Sequence, residues 1–249
     1  MMSLRYSAVV FDFFGTLTRA YQRGPLHAEV ARLLGCDPTA FAHLLNHTYP
    51  QRARGGHADV ERTLAGLARR LGARPGAAQV GAAARLRLRA IREDIRLRTD
   101  AVLTLGALRA RGLRTGLVSD CTDELPEIFP SLPVGPLLDA TVYSSRLGVV
   151  KPHPALYDTV CARLGVDPTD CLYLGDGGGH ELSGARRAGM TAVQLAAPDL
   201  VEHLSFDAEP QWPGPRVTRL VEVLDLVDGR APYWADERPR ARFAPVGPG

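Results

Sequence analysis

Lysine is nearly missing from this sequence: of 30 Lys and Arg residues, Lys151 alone is lysine. Where positive charge suffices, the chain uses arginine. The surviving ammonium therefore marks a position where a compact point charge fits and a planar guanidinium does not. Net charge is also scarce. At +3 over 249 residues, with bases scattered among acids, the composition leaves no footprint for nucleic acid. Cys36, Cys121, Cys161 and Cys171 have no C-x-x-C spacing, so neither a zinc site nor a disulfide framework is indicated. No apolar run approaches the roughly 20 residues of a membrane span, and the opening MMSLRYSAVV lacks a signal-peptide pattern. These absences lead to the expectation of a cytoplasmic protein, monomeric or homodimeric, with no nucleic-acid and no membrane partner.

What is present is alternation. Residues 6–12 read as a buried strand stopped by Gly15. From 20 to 98 the pattern turns helical, in three apolar stripes. Leu26, Val30, Leu33 and Leu34 form the first, Val60, Leu64, Leu67 and Leu71 the second, and Val80, Ala84, Leu88, Ile91 and Ile95 the third. After 99, helices alternate with short strands. Val102, Leu105 and Leu108 line a helix before the strand LRTGLVS, and Leu156, Val160, Cys161 and Leu164 line one before CLYLGD. HELSGARRAG is a short helix and TAVQL the next strand. The expected class is α/β: a Rossmann-like parallel sheet with helices on both faces, and a helical cap inserted after the first strand. The expected units are a core of 1–19 and 99–227, a helical cap of 20–98, and a loosely ordered tail of 228–249.

Ligands of open α/β sheets bind outside the carboxyl ends of the strands. Polar residues gather at four such places here. Asp12 ends VVFD, Ser119-Asp120 end LRTGLVSD, Lys151 opens KPHPALY, and Asp176 ends CLYLGD ahead of Gly177–Gly179 and His180-Glu181. Singly these read as caps and turn acids. Together, two or three carboxylates with a backbone carbonyl make an oxygen-only site suited to Mg2+. A nearby hydroxyl and ammonium would hold phosphate, and one carboxylate could attack as a nucleophile.

The four blocks DFFGTLT, LVSD, GVVKPHPALY and LGDGGGHELSGARRAGM resemble, in order, the motifs of the haloacid dehalogenase-like hydrolase superfamily, over roughly residues 6 to 195. The resemblance implies a Rossmann-like core, a nucleophilic Asp12, and phosphate held by Ser119 and Lys151. It also implies Mg2+ on Asp12 and Asp176 with Glu181 assisting, and a helical cap of the first type. Catalytic expectations thus fall on Asp12 and Lys151. Substrate-binding ones fall on Ser119, Asp120 and Lys151, and metal-binding ones on Asp12, Phe14 through its carbonyl, Asp176 and Glu181.

Phe14 departs from the pattern. Family phosphatases usually carry a second Asp two residues after the nucleophile, which protonates the leaving oxygen. A ring cannot move that proton, and such assistance is commonly worth about 10² to 10⁴ in rate. Three readings stay open. One is a Mg2+-dependent phosphatase of a small phosphorylated metabolite, with Asp120, Asp123 or His180 as substitute acid. The second is a dehalogenase-like hydrolase, since family dehalogenases carry an aromatic Tyr here. The third is a non-enzymatic descendant that binds a phosphorylated ligand or a partner. The stretch NHTYPQRARGGHAD, with His47, Tyr49, Gln51, Arg52 and Arg54, is expected to be an interhelical specificity loop, with Arg52 or Arg54 meeting an anionic part of the substrate.

Overall fold

The computed structural model describes residues 5–55, 59–202, 208–209 and 211–230. Most of the expected tail, 231–249, lies outside the described residues, as do 56–58 of the expected specificity loop. Six parallel strands form one sheet: β1 (Ala8–Phe11), β2 (Arg114–Ser119), β3 (Ala140–Tyr143), β4 (Cys171–Gly175), β5 (Thr191–Leu195) and β6 (Arg216–Val217). Their spatial order is β3-β2-β1-β4-β5-β6. The first three strands therefore build outward from β1 on one side, and the chain returns to pair β4 on the other. Such a reversal leaves a crevice between β1 and β4 at the carboxyl edge. Phe11 sits opposite both Leu117 of β2 and Leu174 of β4, so Asp12 emerges at the mouth of that crevice.

After β1 the chain, among the described residues, first forms a block of five helices: α1 (Leu26–Leu33), α2 (Pro38–His47), α3 (Tyr49–Ala53), α4 (Val60–Arg70) and α5 (Ala77–Asp94). Six more follow: α6 (Ala101–Ala110), α7 (Glu124–Ile128), α8 (Ser144–Leu147), α9 (Pro154–Leu164), α10 (Glu181–Arg187) and α11 (Val223–Val227). Each face of the sheet has its own apolar layer. Phe11, Leu117 and Leu174 pack with α6 and α11 residues such as Leu105, Leu108 and Val223. Val10, Val118 and Tyr173 pack with Leu156, Val160 and Leu182 of α9 and α10. Helices α1 to α5 bury a third, separate core around Val30, Phe41, Leu45, Leu64 and Ala83. A block with its own core can move as a body relative to the sheet. Its two connections run side by side: Thr18 bridges antiparallel to Leu97, and Arg98 donates to the carbonyls of Gly15 and Thr16.

The apolar stripes need adjusting. Leu33, Leu71 and Val102 stand at the surface, because the burying faces are set by Val30 with Leu34, Leu64 with Leu67 and Ala68, and Ala101 with Leu105 and Leu108. The expected loop at 46–59 is also partly helical. Pro50 at the first turn and the short run to Ala53 make α3, so Tyr49, Arg52 and Arg54 are held on a defined turn.

Candidate active site

β1 delivers Asp12 and then turns sharply. Gly15 adopts φ 83°, a conformation that a side chain would resist, and its N–H donates to Thr18 Oγ1 at 3.1 Å. Asp12 is buried. One of its oxygens, Oδ1, accepts from Lys151 Nζ at 2.5 Å, while Oδ2 has no hydrogen-bond partner. Burial in this setting, reinforced by Glu181 and opposed by Lys151, pushes the Asp12 carboxyl up to about 7.

Lys151 arrives from the loop before α9. Its ammonium bridges Asp12 Oδ1 and Glu181 Oε2, each at 2.5 Å. Burial works against the charge, yet Asp12 and Glu181 outweigh it and hold the ammonium well above its ordinary range. Glu181, fully buried at the start of α10, is fixed from three sides. Oε2 also accepts from Tyr173 at 2.8 Å, and Oε1 accepts from the N–H of Gly177 at 2.9 Å. This carboxylate lies against the α-carbon of Gly175, where an added Cβ would come within 2.1 Å of Oε1. The glycine of the LGD block is therefore required by close approach.

Asp176 follows β4, and its Oδ1 accepts from the N–H of Gly178 at 2.9 Å. Burial, with Glu181 and Asp12 beside it, raises its carboxyl well above the usual range. Asp12, Asp176 and Glu181 each present an oxygen, all within 4.8 Å of one another. Three carboxyl groups and one ammonium crowd a buried place, and a divalent cation, whose charge would favour the ionised carboxylates, fits this oxygen donor set. Glu181 already satisfies protein donors with both oxygens, whereas Asp12 Oδ2 is open. Ser119, at the end of β2, is fully buried and its Oγ has no hydrogen-bond partner. Beside it, both oxygens of Asp120 accept from the Lys151 N–H at 3.0 and 3.2 Å.

Asp12, Asp120, Lys151, Asp176 and Glu181 open into a cavity of about 760 Å³, closed on its far side by α3 and α5 of the helical block. Tyr49 donates to the carbonyl of Asp120 at 3.1 Å and so joins block to sheet. Phe14 lines this cavity, with its ring edge-on to Phe13 at 5.0 Å and to Tyr21 at 5.4 Å. Arg52 and Arg54 line it too; His47 and Gln51 are exposed away from it. Of the candidate substitute acids, Asp120 lines the cavity, while His180 is exposed and Asp123 is buried off the cavity wall.

The sequence reading missed a charged framework at the other end of the cavity. Arg87 Nε donates to Glu124 at 2.9 Å, and Arg87 Nη1 lies 2.6 Å from His27 Nδ1. Since arginine has only donors, Nδ1 accepts, and His27 Nε2–H donates to Asp94 at 2.6 Å. Burial and then Arg87 lower the His27 pKa, in keeping with a neutral ring. Glu124 is held down at about 2: burial opposes its charge, but Arg87 overcomes that.

A family model described as haloacid dehalogenase-like hydrolase matches residues 6–189. Glyceraldehyde 3-phosphate phosphatase of Methanopyrus kandleri is 32% identical over 51% of this chain and 55% of its own length. The chain thus spans about half the length of the curated relatives it matches. Among solved structures, 2-haloacid dehalogenase from Pseudomonas syringae pv. Tomato aligns with TM-score 0.64 and 20% identity, over 91% of this chain and 100% of that one. A family enzyme from Bacteroides thetaiotaomicron, solved with magnesium and inorganic phosphate, aligns with TM-score 0.56 and 17% identity, over 76% of this chain and 93% of that one. At these identities the structural likeness concerns the fold.

Proposed function

The chain belongs to the haloacid dehalogenase-like hydrolase family, and from that premise we propose that it is a Mg2+-dependent phosphatase of a small phosphorylated metabolite, with Asp12 as nucleophile. The observation that carries this reading is the buried cluster at the β1/β4 crevice. It combines a carboxylate with one open oxygen, two further carboxylates within 4.8 Å, and the chain's only lysine between them. Asp12, Asp176 and the Phe14 carbonyl would hold the ion, with Glu181 fixing Lys151 from behind. Bound there, Mg2+ would offset charge on the phosphoryl oxygens.

The remaining chemistry belongs to the chain. Asp12 attacks phosphorus, the ester P–O bond breaks, and the leaving oxygen takes a proton. Water then attacks the aspartyl-phosphate, releasing inorganic phosphate and restoring the carboxylate. Ser119 Oγ and Lys151 Nζ hold phosphoryl oxygens. Phe14 contributes no proton, so esters with good leaving groups react best, and Asp120 is the one of the three candidate substitute acids that lines the cavity. Helices α1 to α5 act as the cap that closes the cavity over the substrate.

A panel of phosphomonoesters assayed with and without Mg2+ tests the proposal. Mg2+-dependent phosphate release supports it. Metal binding with no turnover of any ester would refute it. Halide release from 2-haloacids would instead favour the second reading, which the aromatic Phe14 in the cavity wall supports.

A further inference from the structure

The cavity is larger than a phosphoryl group needs, and its far end is positively charged. About 760 Å³ lies within the range of sites that enclose whole metabolites. Three guanidiniums, Arg23, Arg52 and Arg87, line that end together with a single carboxylate, Glu124. Glu124 is committed to Arg87 at 2.9 Å. The next acid, Asp94, is occupied by His27, by Tyr21 and by the N–H of Gly24. Arg52 is buried and, among the described residues, donates only to neutral acceptors, Thr48 Oγ1 at 3.2 Å and the Leu45 carbonyl at 2.8 Å; Glu124 acts on it through charge alone, and its Nη1 has no hydrogen-bond partner there. Arg23 has no hydrogen bond or ion pair among the described residues. A buried guanidinium donor left without a partner is costly, and Arg52 Nη1 is such a donor; Arg23, which is exposed, adds a second positive charge to the wall of the same cavity.

We propose that this end of the cavity is a second anion subsite, in which Arg23 and Arg52 receive a carboxylate carried at the far end of the phosphorylated substrate. The inference rests on the phosphatase reading, which puts the phosphoryl group at Asp12, and it narrows the substrate class to small phosphomonoesters that end in a carboxylate. Arg87, tied to Glu124 and His27, is a positioning residue that holds the Glu124 carboxylate by a direct bond, while Glu124 acts on Arg52 and Arg23 through its charge alone. Arg54, exposed and bonded to its own helix at Pro50, takes no part. A fork-shaped donor suits a planar carboxylate, which two oxygens can meet side by side.

The test is calorimetric titration, in Mg2+, with a short homologous series of ω-phosphonocarboxylates against alkylphosphonates of matched length. A charge-assisted hydrogen bond is worth enough for about a tenfold preference or more, so at one length the carboxylate probe should bind at least tenfold tighter. Arg23→Gln should erase that preference. Since Arg23 is exposed and unpaired, the variant should fold, which its melting curve verifies. Arg52→Gln, with the same control, should weaken the preference also. Alkylphosphonate binding with no carboxylate preference at any length, or a full preference surviving in Arg23→Gln, would overturn the subsite while leaving the phosphatase reading intact. Failure of every phosphonate to bind would overturn both.

Discussion

Replacing Phe14 with aspartate puts the account of catalysis and the account of packing at risk in one experiment. The ring is half-buried and meets Phe13 and Tyr21 edge-on, with interplanar angles of 75° and 73°. Each such pair is worth about 0.5–1.5 kcal/mol beyond its buried area, and half-burial of the ring adds about 1 kcal/mol. Phe14→Asp should therefore cost roughly 2–4 kcal/mol without metal. The new carboxylate also adds repulsion to a cluster that already holds Asp12, Asp176 and Glu181. Mg2+ should recover part of that loss, so the melting temperature of the variant should respond more steeply to Mg2+ than that of the wild type. In the same variant, a side chain able to carry a proton stands beside the leaving oxygen. Turnover should rise about tenfold or more, short of the full acid–base factor because the cavity is shaped around a ring. The gain should be larger for alkyl than for aryl phosphates, since poor leaving groups need protonation most. Aryl and alkyl phosphatase rates, measured beside melting curves with and without Mg2+, decide it. A folded Phe14→Asp protein with no increase in Mg2+-dependent hydrolysis would refute the reasoning.

Further outcomes follow from the charges. Asp176→Asn relieves repulsion in the metal-free protein, so its melting temperature without Mg2+ should rise slightly, and the Mg2+-induced increase should vanish; an undiminished metal response would remove Asp176 from the site. Glu124, held at about 2 against an ordinary 4.5, contributes stability that is complete above pH 4.5 and is lost as pH falls towards 2. That difference corresponds to roughly 3 kcal/mol, similar to the cost of breaking a buried ion pair. Glu124→Gln should thus lie well below wild type in melting temperature at neutral pH, and the gap should narrow between about pH 5 and pH 2. A gap that is constant with pH would show that the Arg87–Glu124 pair is not what holds α5 to α7.

Much of the site could be read from the chain because strand ends convert sequence order into position. Asp12, Ser119 and Asp176 each end an apolar run, and parallel pairing brings those ends to one edge. Lys151 stood out by composition, and Glu181 by the resemblance of its block, LGDGGGHELSGARRAGM, to the family's fourth motif. The cationic end of the cavity was hidden for the opposite reason. Arg87–Glu124, Arg87–His27 and His27–Asp94 join residues 37, 60 and 67 positions apart, and no local pattern distinguishes these side chains from ordinary helix-surface charge. The helices gave their existence but not their facing. Val102 and Leu105 share an apolar stretch, yet only Leu105 points at the sheet. Strands β3 and β6 escaped as well. ATVY is short with an ordinary composition, and the two residues of β6 exist only because β5 offers an edge.

The central claim is that phosphoryl transfer passes through Asp12, and the enzyme–substrate intermediate tests it most directly. Wild-type protein mixed with a turned-over phosphate ester and Mg2+, quenched in acid and mapped by peptide mass spectrometry after borohydride reduction, should carry its modification at Asp12 alone. Asp12→Asn, folded to the same melting temperature or higher, should carry none and release no phosphate. Steady phosphate release with an unmodified Asp12, or release that persists in Asp12→Asn, would contradict the account.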